Sequence, residues 1–456
     1  MGIPFDKITH AHHAGTTSAN TDTAAANKEI VLSSFKEAYR NAIGNMVSAG
    51  AAVYTETIDP RDGIVFPTAV VEADSSNPAQ VNICRLTDTL YVVMFLVADT
   101  SLEVAAVSID GTTPTVGTAV HVNTDAAADT DSANICAIGT AGTHFCCVYR
   151  DEEGDDYLCA RIGSVSGTTI TMGTEKELTA AATTENAATP YGICEPRAGV
   201  LGFAYADGDD DLATIAATYS GTTIATPGSV VEFDAAAPDQ ISCCKMEEGY
   251  MFVAYADGGD SNKFHARVAS VSAAAAIGTP GTEKTVVDLA ATYINAKNVE
   301  QNKVIVAYED NANDPEAVVC TTAAGGTTIT AGTAKNFLAG TVTDVGVDMI
   351  DNTQGIIKWD NGTNGDCVRF SISGTTITAD AKLDTFVETS STGGGAGGIS
   401  CSTTGKCVIA YEDADNDTGV LVGQYYENRV VDIRSATASI NYEFDVIPVF
   451  EYEASN

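Results

Sequence analysis

Carboxylates are the side chains with which this sequence could do chemistry, and their spacing is regular. Asp207, Asp209 and Asp211 alternate in DGDDD, and Asp413, Asp415 and Asp417 alternate in DADND. Oxygen-rich turns of this kind can hold Ca²⁺, which takes roughly six to eight oxygen ligands. Neither turn completes an EF-hand loop: glycine is absent or displaced, and the twelfth position holds Thr218 or Gln424. Asp in a tight turn also accepts backbone N–H groups, which is the competing role for each of the six. Calcium is therefore the only cofactor the sequence suggests, and no other is expected.

Catalytic patterns are missing. No GxSxG, HExxH, P-loop or dinucleotide fingerprint occurs in a suitable context, so no catalytic residue is assigned and no enzyme is expected. The carboxylates are too numerous for one acid–base pair to stand out. His121, His144 and His265 are scattered and read as structural, while His10, His12 and His13 form a short HAHH arm with metal-binding side chains. Twelve cysteines contain no CxxC. Several recur at one strand position (Cys84, Cys136, Cys194, Cys243, Cys401), where they read as small packing residues too far apart to bridge. Cys401 and Cys407, flanking one hairpin, are the best disulfide candidate.

The acidic turns follow apolar runs, and the runs form a repeat. KCVIAYED ends at Asp413, and its relatives end at Asp99, Asp151, Asp207, Asp257, Asp310 and Asp360, at gaps of 52, 56, 50, 53, 50 and 53 residues. Seven copies of about fifty residues predict four-stranded propeller blades. Each blade reads as an inner strand, the VAYxD strand, an acidic hairpin, a third strand, an SGTT-like turn and an outer strand. The fourth copy replaces that turn with Ala273–Ala276.

Val70–Leu86 reads like Val230–Met246, so Ile64–Ala73 is expected to be an outer strand without a blade of its own. The last repeat lacks its outer strand. An all-β, seven-bladed propeller closed by that N-terminal strand follows, with Val65, Val70 and Val71 meeting Val408, Tyr411, Val420 and Val422. The blades span 64–427. Residues 1–63 carry an amphipathic stretch, 27–47, whose stripe includes Ile30, Phe35, Tyr39 and Ile43. That stripe predicts a docking or oligomerising helix. Residues 428–456, rich in β-branched and aromatic side chains, predict strands that pack with it as a small module.

A net charge of −38 argues against nucleic-acid partners, whose phosphates would be repelled. No apolar run approaches the ~20 residues of a membrane helix, and no secretory signal is expected from MGIPFDKITHAHH. The VAYxD strand (Val253–Asp257) and the SGTTIT turn (Ser166–Thr171) resemble repeats of seven-bladed propellers in tailed-virus structural proteins and bacterial surface proteins. WD and GH do not recur as repeat signatures, WD occurring once at Trp359–Asp360, and Ser-x-Asp-x-Gly-x-Thr-Trp is absent. The resemblance implies a scaffold rather than an activity.

The expected function is accordingly that of a non-enzymatic virion protein, for capsid decoration or a tail accessory. It would sit on the particle surface as a homo-oligomer among other virion proteins, and would contact a host glycan or receptor. The alternative is an extracellular carbohydrate-binding or carbohydrate-cleaving propeller. A cellular protein-interaction scaffold is the third reading.

Overall fold

The computed structural model describes residues 63–66, 71–74, 78–97, 101–123, 133–151, 157–179, 191–235, 237–362, 365–380, 384–387, 398–412 and 417–426. It also describes the short strands Val53–Thr55, Ile433–Ser435 and Asn441–Tyr442. The chain forms two compact units, Met1–Asp62 with Glu427–Asn456, and Gly63–Tyr426. In the first, the three short strands make one antiparallel sheet, with Val53 opposite Ser435 and Ile433 opposite Tyr442. Ile30, Phe35, Tyr39 and Ile43 lie outside the described residues, as do Val70, Asp413 and Asp415.

The second unit is an all-β propeller, and its strand chemistry explains why. Along Tyr250–Asp257, Phe252, Ala254 and Ala256 enter one core cluster, while Met251, Val253 and Tyr255 enter another on the opposite face. A strand covered on both faces must be apolar at every position, which is why the repeat reads as a run and not an alternation. Each large side chain so buried contributes about 2 kcal/mol.

Five sheets are discrete five-stranded blades. The repeats ending at Asp257 and Asp310 depart from the expectation of separate sheets. They share one eight-stranded sheet, because the 17-residue strand Lys284–Glu300 pairs with Lys263–Ser270 through its first part and with Lys303–Asp310 through its second. Tyr293, at φ +50°, lies in the register shift between Thr292 and Asn295 within the second part. The sequence count of seven thus becomes five discrete blades plus one fused sheet.

Gly63–Val65 and Val71–Asp74 both pair antiparallel with Thr418–Tyr426, Val65 opposite Gln424 and Val71 opposite Val420. Val408, Tyr411, Val420 and Val422 are buried beside them. Val81, Ile83 and Tyr91 of the first blade share a core cluster with Val408, Val420 and Val422.

Successive sheets also meet at their outer turns. The glycine of each SGTT-like turn has φ near +60°, as at Gly167, Gly221 and Gly374. In the fourth repeat Ala275 takes the left-handed conformation, at φ +58°. A second glycine, in the GT dipeptide that follows the outer strand, is needed for space. A Cβ on Gly117, Gly173, Gly281 or Gly332 would lie 2.1 to 2.7 Å from the carbonyl oxygen of Thr168, Thr222, Thr327 or Thr375 in the next repeat's turn.

All twelve cysteines are free thiols, eleven of them buried. Cys401 and Cys407 sit directly opposite in one strand pair and are not bridged. The expected wide separation of equivalent inner-strand cysteines fails at one place. Cys194 and Cys243 share one core cluster across adjacent inner strands. The cause is Gly192, whose missing side chain lets its strand approach until a Cβ there would lie 2.9 Å from Cys243 Cβ.

Candidate functional site

The strand-ending aspartates Asp207, Asp257, Asp310 and Asp360 are turn acceptors first. Asp207 Oδ1 accepts the backbone N–H groups of Asp209 (3.0 Å) and Asp211 (3.1 Å), and Asp310 Oδ1 accepts those of Ala312 (2.9 Å) and Asp314 (2.8 Å). Asp210 and Asn313 hold the left-handed position in these two turns, at φ +65° and +62°. Asp360 Oδ1 accepts from Gly362 N–H at 2.7 Å in the same manner. Of the six aspartates named above for calcium, Asp207 is thus engaged with its own turn, Asp209 is exposed, Asp211 is half-buried, and Asp417 lies just before the strand Thr418–Tyr426.

One hairpin carries more than a turn. Among the described residues, the only three ligating side chains whose atoms all lie within 4.8 Å of one another are Asp257, His265 and Glu283. The sequence reading passed over His265 as structural and did not single out Glu283. Asp257 ends the strand Tyr250–Asp257, and its Oδ1 accepts from Gly259 N–H (2.8 Å) and Asp260 N–H (3.2 Å). His265 lies opposite Tyr255 on the next strand. Cys159, Ala213, Glu316 and Gly419 hold that position, opposite a tyrosine, in other repeats. His265 Nδ1 meets Glu283 Oε1 at 2.7 Å and lies 3.9 Å from Asp257 Oδ2; Nε2 lies 3.4 Å from Asp260 Oδ2.

Glu283 continues the cluster toward the preceding blade. Its Oε2 accepts from Arg267 Nη2 at 3.0 Å and from the Tyr255 hydroxyl at 3.2 Å. The same guanidinium nitrogen reaches Asp234 Oδ2 at 3.1 Å, and the Tyr255 hydroxyl also donates to Asp234. Asp234 ends Val231–Asp234, a strand of the neighbouring sheet, so the network spans a seam between two sheets. Burial and a hydrogen bond with Glu283 push the Asp234 carboxyl up to about 6. The shared proton donated from Asp234, then Arg267 and His265, holds the Glu283 carboxyl below its usual range. Burial and the two carboxylates push the Tyr255 hydroxyl far up, so it stays a donor. The side chains are partly open to solvent: Asp234 is 13%, Arg267 23% and Glu283 29% exposed.

A signal for this network was present in the sequence. GTEK occurs at 173–176 and again at 281–284, and an Arg stands ten residues after the strand-ending Asp in both repeats. In the structure Tyr149 donates to Glu175 as Tyr255 does to Glu283, and Arg161 occupies the place of Arg267.

No protein-family model matches the sequence, and no curated protein matches it. Solved structures do match. The fold is similar to that of BP39L lectin from Burkholderia pseudomallei, with TM-score 0.57 and 10% identity, over 79% of this chain and all of the lectin. The fold is that of a β-propeller. The WD40 domain of Toxoplasma gondii coronin aligns at TM-score 0.48 and 10% identity, over 83% of this chain and 91% of its own. The six-bladed fucose-recognising Aleuria aurantia lectin aligns at 0.41 and 11%, over 72% of this chain and 100% of its own.

Proposed function

We propose that this propeller is a carbohydrate-binding protein and that the seam of Asp234, Tyr255, Arg267 and Glu283 is its sugar site. The observation that carries the reading is the pre-set geometry of that network. One guanidinium and one hydroxyl hold two carboxylates in fixed positions at a partly open seam. Planar groups fixed in this way suit vicinal hydroxyls, which donate to a carboxylate and accept from a guanidinium together. The lectin whose whole length superimposes on this chain supports the assignment at the level of scaffold.

Binding is favoured over cleavage by the closeness of the two carboxyls. Glycosidic hydrolysis needs them about 5 Å apart or more, flanking the bond. Asp234 Oδ2 and Glu283 Oε2 instead share one guanidinium nitrogen, at 3.1 and 3.0 Å, and one tyrosine hydroxyl, which fill the space between them. The virion reading rests on the sequence resemblance alone, and the carbohydrate reading replaces it as the first hypothesis. The finer architecture belongs to the same proposal. Counting the fused sheet as two blades gives seven, and the pairing of Gly63–Val65 and Val71–Asp74 with Thr418–Tyr426 supports closure by the N-terminal strands.

The test is a glycan array probed with the full chain, followed by calorimetry on the best ligand. Arg267→Ala and Tyr255→Phe are expected to weaken binding at least tenfold while leaving the far-UV spectrum unchanged. No bound glycan at millimolar concentration, or undiminished binding by both variants, overturns the proposal. Turnover of a bound polysaccharide would move the function from binding to cleavage.

A further inference from the structure

Beyond any sugar site, we propose that Asp257, His265 and Glu283 form a binding site for one divalent transition-metal ion of the zinc class. The ligands would be Asp257 Oδ2, His265 Nδ1 and Glu283 Oε1. Imidazole and carboxylate donors bind Zn²⁺ at about 2.0–2.2 Å, which sets neighbouring tetrahedral ligand atoms roughly 3.3 Å apart. The distances from Nδ1, 2.7 Å to Glu283 and 3.9 Å to Asp257, bracket that separation. One nitrogen and two oxygens suit a borderline ion, while calcium prefers a larger, all-oxygen shell.

Each ligand is held from behind by its other polar atom. Asp257 Oδ1 is fixed by two backbone N–H groups. Glu283 Oε2 is fixed by Arg267 and Tyr255. His265 Nε2 faces Asp260 Oδ2 at 3.4 Å, and Lys263 holds the other oxygen of Asp260 at 3.2 Å. Outer partners of this kind set the tautomer and orientation of a metal-bound imidazole.

The independent sign of a missing ligand is His265 itself. Its side chain is 3% exposed, yet Nε2 makes no hydrogen bond and has only the 3.4 Å approach of Asp260 Oδ2. If Nδ1–H donates to Glu283, a neutral ring turns the Nε2 lone pair toward a carboxylate. A cation on Nδ1 moves the ring proton to Nε2, where it faces Asp260 and reverses that repulsion.

The test uses the full reduced chain with His10, His12 and His13 changed to alanine, which removes the competing histidine arm. Titration with ZnCl₂ after chelator treatment is expected to give one saturable site per chain. His265→Gln should weaken it at least a hundredfold, and Asp310→Asn, the turn acceptor of the next hairpin, should leave it intact. If His265→Gln does not fold, CoCl₂ binding to the parent protein decides. Visible d–d bands without thiolate charge transfer support the site; no bands, or thiolate bands, overturn it. Absence of saturable zinc binding, or binding undiminished in a folded His265→Gln protein, also overturns it. None of these readouts depends on a glycan, so this proposal and the sugar site fail separately.

Discussion

Burial gives the thiols a common direction of titration. Ten of them are pushed up from the ordinary thiol value, chiefly by desolvation, Cys84 and Cys320 to about 12. A group whose neutral form is favoured in the fold keeps its proton while the unfolded chain loses it. Its stabilising contribution is complete below the unfolded thiol value, and declines as pH rises above about 9 toward the folded value. The reduced protein should therefore lose stability steeply between pH 8.5 and 10.5, at up to ~1.4 kcal/mol per pH unit for each thiol ionised only in the unfolded state. Urea midpoints across that range check the slope, and a flat profile would contradict buried thiols. A thiol reagent at pH 8 should likewise react slowly with the native protein and with all twelve groups after unfolding. The sequence made these cysteines legible as packing residues, because they replace one another at a repeated apolar position. The approach of Cys194 to Cys243 was not legible, because it depends on Gly192 and on how closely two inner strands pack. His265 and Glu283 were missed for a related reason. They lie 18 residues apart, His265 within Lys263–Ser270 and Glu283 just before Lys284–Glu300, and only register brings them together.

At the scale of the element, two kinds of glycine do different work in the same repeat. Gly173 has no positive φ, but a Cβ there would lie 2.2 Å from the Thr222 carbonyl oxygen, which is backbone and cannot swing away. Gly221 has φ +57° and open space around it. Gly173→Ala is expected to destabilise by ~1–3 kcal/mol through overpacking between sheets. Gly221→Ala should cost ~1–2 kcal/mol, the left-handed penalty alone. Amide exchange separates the causes: the first should loosen two adjoining sheets, the second only its own turn. The acidic hairpin is a second such element. Asp310→Ala removes the acceptor of two backbone N–H groups and is expected to cost ~1–2 kcal/mol by urea unfolding, with Asp310→Asn retaining most of the stability. A loss well under half a kcal/mol would mean that the turn geometry is set by its left-handed residue, Asn313. The turn chemistry was readable from sequence as one of two roles for these aspartates. Sheet fusion was not, since nothing in KTVVDLAATYINAKNVE separates one long bent strand from two short ones.

For the whole unit the question is whether the blades form one cooperative cycle, and Ile64 is placed to answer it. The strand Gly63–Val65 is remote in sequence from Thr418–Tyr426, yet pairs with it. Ile64 is 4% exposed and belongs to one core cluster with Ile350 and Ile356 of the neighbouring blade and Cys401, Ile409, Tyr411 and Leu421 of the last. The opposite face of the same last blade, at Val408, Val420 and Val422, packs against Tyr91 and Val93 of the first. Ile64→Ala should remove ~2–4 kcal/mol, the transfer and cavity cost of a buried aliphatic side chain. The distribution of that loss carries the argument. If the N-terminal strands lock a closed cycle, amide exchange should accelerate in Lys406–Glu412 and also in Leu90–Val97, a strand whose Tyr91 and Val93 belong to the cluster on the opposite face of the last blade. If the sheets form an open array, the acceleration should stop at the last blade and its neighbour Gln354–Asp360. The measurement belongs at 0.15 M salt or above. There the screening length is about 8 Å, and self-repulsion within a chain of net charge −38 no longer adds a diffuse opening to the local one.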